Sequence, residues 1–149
     1  MEDNDLREIE QIKKLKARYF RHMDQQRWDE WKKCFTEDVT AVYDGPPRLN
    51  KRDDPAQVAC EGRTRLVDAV SGLFVESKSV HQGFMPEIEL TSPTTATGIW
   101  AMFDYIRTPR GSFKGWGHYY EEYVKQEGEW KIKKIRLTRL HVEEIWEGL

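Results

Sequence analysis

The chain opens with apolar side chains at helical spacing. Leu6, Ile9, Ile12, Leu15 and Tyr19 recur three or four residues apart, with Ala17 and Phe20 beside the stripe, which predicts a helix over residues 5–22. Asn4 or Asp5 supplies a cap at its start. The polar run Asp24-Gln25-Gln26 interrupts the pattern. Trp28, Trp31, Cys34 and Phe35 resume it, predicting a second short helix that ends at Thr36-Glu37-Asp38. Val39 to Tyr43 reads as a short strand. Residues 44–60 hold three prolines and many charges and read as a loop, either a solvated insertion or a lid over a site. Leu66, Val67, Val70, Leu73 and Phe74 form the apolar face of a third helix.

From residue 77 onward the pattern changes. Residues 80–90, 94–105, 115–126 and 129–140 read as four long strands, with hairpin-like connections at Thr91-Ser92-Pro93 and Glu127-Gly128. Helices followed by a run of strands predict an α+β fold in a single domain over residues 1–149, with helices packed on one face of a curved, mostly antiparallel sheet.

Composition narrows the partners. The chain has 24 basic and 26 acidic residues, a net charge of −2, and no basic stripe interleaved with aromatics, which argues against nucleic acid. Six Trp and six Tyr in so polar a chain belong in a core or in pocket walls. Cys34 and Cys60 lack CxxC or metal-ligand spacing and read as free thiols of a reducing compartment, with a disulfide between them as the alternative. The acidic start has no apolar signal region, and no run approaches the ~18 apolar residues of a membrane span. The expected setting is therefore cytoplasmic, with no membrane partner. The four histidines show no HxH or HExxH spacing, and no glycine loop for phosphate appears, so no metal or cofactor is expected.

Two stretches carry a resemblance: RYFRHMDQQRWDEWKKCFTEDV near the start and GHYYEEYVKQEGEWKIKKIRLTRL near the end. With the order of elements around them, residues 5–141 resemble the SnoaL-like branch of the NTF2-like superfamily. The resemblance implies a cone in which N-terminal helices close one side of a strongly bent sheet around a deep pocket. Bends of that kind need glycines and bulges, for which Gly98 and Gly115-Trp116-Gly117 are the candidates. Among members of the branch, bile-acid 7-alpha-dehydratase has its site residues where this chain has Tyr19, Asp24, His81, Asp104 and Arg139. His118 in GWGHYY looks like the second histidine of scytalone dehydratase, and hexachlorocyclohexane dehydrochlorinase shares the Asp–His pair with a late Arg. The resemblance to these dehydratases also implies a homo-oligomer, a trimer rather than a dimer.

These residue types suit proton transfer. An aspartate bonded to one nitrogen of a histidine fixes its tautomer and stabilises the imidazolium, which makes His81 a general base oriented by Asp24. Tyr19 and His118 are candidate proton donors, and Arg139 offers a positive fork for a carboxylate or developing oxyanion. Strand phase puts Arg139 on one face with Ile135 and Leu137. Asp104 shares a face with Trp100 and Met102, but the opposite face is equally apolar, so phase leaves its direction open. Tyr19 and Asp24, five residues apart, stand about 140° from each other on an ideal helix.

Each of these residues also has a plain alternative. His81 would be a core histidine bonded to a carbonyl, His118 an exposed residue near a strand start, and Asp24 a polar helix end. Asp104 would pair with a surface cation, and Arg139 would belong to a structural ion pair. Trp28 and Trp31 read as core before they read as a ligand platform, and His22 and His141 as surface residues. The functional expectation is a cofactor-independent lyase, a dehydratase acting on a small hydrophobic ring compound of steroid, polyketide or phenol type. The alternatives are an isomerase or polyketide cyclase on the same scaffold, or a non-catalytic ligand-binding or assembly subunit.

Overall fold

A computed structural model describes residues 2–47 and 57–147. In chain order its elements are α1 (Asp3–Asp24), α2 (Trp28–Lys32), β1 (Phe35–Asp44), β2 (Gln57–Glu61), α3 (Arg63–Leu73), β3 (Lys78–Ser92), β4 (Thr95–Thr108), β5 (Gly111–Gln126) and β6 (Glu129–Trp146). The strands form one open, six-stranded sheet in the order β2-β1-β6-β5-β4-β3. Among the described strands only the β1–β6 pairing is parallel; the last four form the expected antiparallel meander. The architecture is the α+β, NTF2-like one, with the N-terminal helices packed on the sheet. Among the described residues no helix is long and apolar enough to cross a membrane.

The apolar stripe of α1 turns Ile12, Leu15, Tyr19 and Met23 inward. Its start differs from expectation: Asp5 is already inside the helix, and its carboxylate reaches back to the Glu2 backbone N–H at 3.3 Å. The second helix is shorter than the three-four spacing implied. Cys34 and Phe35 leave it because that chain segment joins the sheet, where the Ile132 N–H donates to the Cys34 carbonyl at 2.8 Å and Phe35 lies opposite Ile132. Trp31 is fully buried against Phe35 and belongs to the core, while Trp28, half-buried, stacks on Phe74 and packs against that core.

The expected 44–60 loop is also corrected. Gln57–Glu61 is an edge strand antiparallel to β1, and the alternation Val58, Cys60 follows its pleat. Residues 48–56 of that loop lie outside the described residues. Both cysteines are free, Cys34 within the core.

Two irregularities bend the β5–β6 ladder. One falls between Trp116 and Gly117, where Arg139 and His141 are the partners and Leu140 is the extra residue. The other falls between Glu122 and Tyr123, and it lets Ile132 and Ile135 both face inward. Gly98 has a different role from the expected bend. A Cβ there would stand 2.8 Å from the Tyr123 hydroxyl, so the glycine makes room for that side chain.

Candidate functional site

The last residue of α1 meets the outer edge of β3. An edge strand carries backbone N–H groups with no neighbouring strand to accept them, and Asp24 fills that need at His81. One Asp24 oxygen accepts the His81 backbone N–H at 2.8 Å; the other accepts the Ser79 hydroxyl at 2.9 Å and meets His81 Nδ1 at 2.7 Å. The ring is fixed further by Phe20, stacked at 6.5 Å, and by the edge-on Phe74 at 5.9 Å. With Nδ1 donating to a carboxylate, Nε2 is left unprotonated in the neutral ring.

That nitrogen faces Asp104 across the β3–β4 pair, with 3.7 Å between Nε2 and Oδ2. The side chain of Asp104 is 4% exposed, which resolves the direction that strand phase left open: it points inward with Met102 and Ile106. It does not stand as a bare charge. Arg139 grips both its oxygens, Nη1 at 2.8 Å and Nη2 at 3.1 Å, while Nε donates to the Asp44 carbonyl at 3.2 Å. The guanidinium fork is thus engaged by a neighbouring carboxylate. Gly115 allows this approach, because a Cβ at that position would overlap both the guanidinium and the carboxylate.

His81, Asp104 and Arg139 line a narrow cavity of about 50 Å³. Tyr19 and Tyr43 complete its polar side, their hydroxyls 2.9 Å apart. Met23, Leu73, Phe74, Ile106 and Leu137 form much of the apolar wall, joined by Pro46, Pro47 and Val58. Burial holds the phenols of Tyr19, Tyr43 and Tyr119 above their ordinary range, so all three carry their protons at neutral pH. Asp24 is not in the lining; it stands behind the imidazole, which is the place of an orienting group. The helical angle between Tyr19 and Asp24 therefore poses no conflict, since the first faces the cavity and the second the β3 edge.

The structure does not bring His118 into this group. Along β5 the odd-numbered residues Gly117, Tyr119 and Glu121 face inward, so His118 points to the other face of the sheet. There it shares a shallow depression with Phe84, Phe103, Trp116 and Leu140. His22 departs from expectation too: it is buried, and its Nδ1 has no hydrogen-bond partner. It lines a separate groove of about 760 Å³ outside the sheet with Arg18, Cys34 and Trp130. None of Asp24, His81, Asp104 and Arg139 lies there. His141 is exposed. Sequence reasoning missed Tyr43, Ser79 and Tyr119. The alternation Val39, Ala41, Tyr43 carried a signal for the first, and that of Phe113 to Tyr123 for the last.

The profile of the SnoaL-like domain family matches residues 4–136. A probable cyclase of Gibberella zeae is 22% identical over 134 residues, covering 87% of this chain and 89% of the cyclase. A provisionally named scytalone dehydratase of Novosphingobium aromaticivorans superposes with a TM-score of 0.83 at 22% identity, covering 97% of this chain and 92% of the other. The hexachlorocyclohexane dehydrochlorinase LinA-type3 of Novosphingobium barchaimii superposes with a TM-score of 0.74 at 16% identity, covering 97% and 94%.

Proposed function

The chain belongs to the SnoaL-like domain family, and from that premise we propose that it is a cofactor-independent lyase, a dehydratase acting on a small ring compound. The observation that carries the reading is the Asp24–His81 Nδ1 contact, which leaves Nε2 as the basic nitrogen of the neutral ring, on the wall of a narrow, half-open cavity. In the proposed reaction Nε2 takes a proton from a ring carbon beside a carbonyl. The C–H electron pair becomes the new C=C bond, and the β C–O bond breaks with its pair on oxygen. The Tyr19–Tyr43 hydroxyl pair supplies a proton to the departing oxygen, which leaves as water. The imidazolium formed on the way is stabilised by the Asp24 carboxylate at Nδ1, with Asp104, itself paired to Arg139, facing Nε2. The imidazolium then returns its proton to the depleted hydroxyl pair through solvent.

The cyclase-named relative favours a second reading, in which the same base starts a ring closure or an isomerisation instead of an elimination. A panel of cyclic β-hydroxy ketones, polyketide-like phenols and sterols, followed by the absorbance of the new conjugated double bond, tests the proposal. Turnover that disappears in His81→Ala supports it. Turnover that persists in that variant, or a product of unchanged mass in place of one lighter by water, contradicts it.

A further inference from the structure

Lys16 lies on the inner face of α1 and is fully buried. Its ammonium sits 2.6 Å from Glu121 Oε2 on β5, and both side chains are shut off from solvent. The other Glu121 oxygen accepts the Tyr123 hydroxyl at 2.6 Å, which in turn accepts the Trp100 indole N–H at 3.0 Å. The acid is thus satisfied from both sides. The ammonium also stands over three aromatic faces, 3.7 Å from the ring centre of Tyr19, 3.6 Å from that of Tyr119 and, farther off, 4.8 Å from that of Phe20.

Tyr19 and Tyr119 line the cavity, whereas Lys16 and Glu121 do not. The rings therefore stand between the ion pair and the cavity. Two apolar side chains of the same volume would fill that core at no cost in stability, and often with a gain. What the ion pair adds is direction, because a cation attracts the faces of both rings and holds their planes.

We propose that Lys16 is a positioning residue: with its charge balanced by Glu121, it clamps the Tyr19 and Tyr119 rings that wall the cavity and so fixes where the Tyr19 hydroxyl stands. The catalytic consequence rests on the lyase reading above; the clamp itself does not.

The test is Lys16→Met/Glu121→Gln, which removes both charges and keeps the volumes. Three quantities are read: the melting temperature, the flip rates of labelled tyrosine rings by NMR, and kcat and KM on a substrate found by the panel. The expected result is a folded protein in which both rings flip faster and kcat falls about tenfold or more at unchanged KM. A folded variant with parental flip rates and parental kcat overturns the proposal. If the double variant does not fold, the parent decides. Flips slow enough to resolve the two sides of each ring support the clamp, and rings averaged at 25 °C contradict it. A parent that turns over nothing tells against the lyase reading alone, and the flip rates still decide the clamp.

Discussion

Asp24 holds His81 at two points, its backbone N–H at 2.8 Å and its Nδ1 at 2.7 Å, so one carboxylate fixes both the strand edge and the ring. The same carboxylate accepts the Ser79 hydroxyl. Three donors converge on it, and an Asn side chain has only one oxygen to offer them. Asp24→Asn is therefore predicted to put an N–H against a donor and push His81 toward the other tautomer. Nitrogen-15 shifts of the ring measure this without any substrate. The neutral parent ring should be protonated on Nδ1 and bare on Nε2, with the Nε2-protonated form gaining in the variant. A parent ring protonated on Nε2 contradicts the assignment.

The buried Asp104–Arg139 pair depends on the space at Gly115. Gly115→Ala should force the pair apart and leave two poorly compensated charges, a loss of about 3 kcal/mol or more. Gly72→Ala is the control, since a Cβ there meets nothing within 4 Å. It should be neutral or stabilise the exposed end of α3 by up to ~1 kcal/mol. Chemical denaturation compares the two; equal effects would show that the close approach at Gly115 costs little to disturb.

Burial lowers Lys16 from the ordinary 10.5 to about 8. Below pH 8 it is protonated in both folded and unfolded chains. Between about 8 and 10.5 the unfolded chain holds the proton and the folded one has lost it, so Lys16 makes stability rise with pH in that window. Cys34 acts in the opposite sense above 9, because burial pushes its thiol up to about 11. That contribution is present in the Lys16→Met/Glu121→Gln variant as well and cancels in a comparison. The stability of the parent relative to the variant should climb from pH 8 to pH 10; a flat difference contradicts the assignment.

The homotrimer implied by resemblance is an expectation with a surface to use. Phe84 and Leu140 are 47% and 75% exposed on the outer face of the sheet, beside Trp116 and His118. Light scattering after size exclusion should give three times the 17.7 kDa of the chain, and Leu140→Glu should lower it. A monomer at micromolar concentration contradicts the trimer.

Periodicity alone made most of the fold legible, because α1, α3 and the long strands bury one face in regular alternation, interrupted in β6 only at its bulges. It failed where a tertiary contact outranked the local pattern. Cys34 and Phe35 had helical spacing, yet pairing with β6 drew them into the sheet. The β2 strand was hidden in a charged, proline-containing stretch, because half of a five-residue edge strand faces solvent. At the site, the family resemblance pointed to Tyr19, Asp24, His81, Asp104 and Arg139 by position, and strand phase gave a second line of argument for Arg139. His118 stands apart from that group because its neighbour Tyr119, one step along the same strand, takes the inward place. That Arg139 would spend its fork on Asp104 depends on a distance across three strands, which no local pattern carries.

Turnover in a two-residue mutant cycle decides whether Asp24 orients His81 as the general base. His81→Ala should lower kcat by about 10²–10⁴-fold while the fold is retained, and Asp24→Asn should also fall steeply. The double variant should be no worse than His81→Ala alone, because an orienting group has nothing left to orient. A His81→Ala protein with full activity, or a double variant that loses the sum of both single effects, would contradict the account.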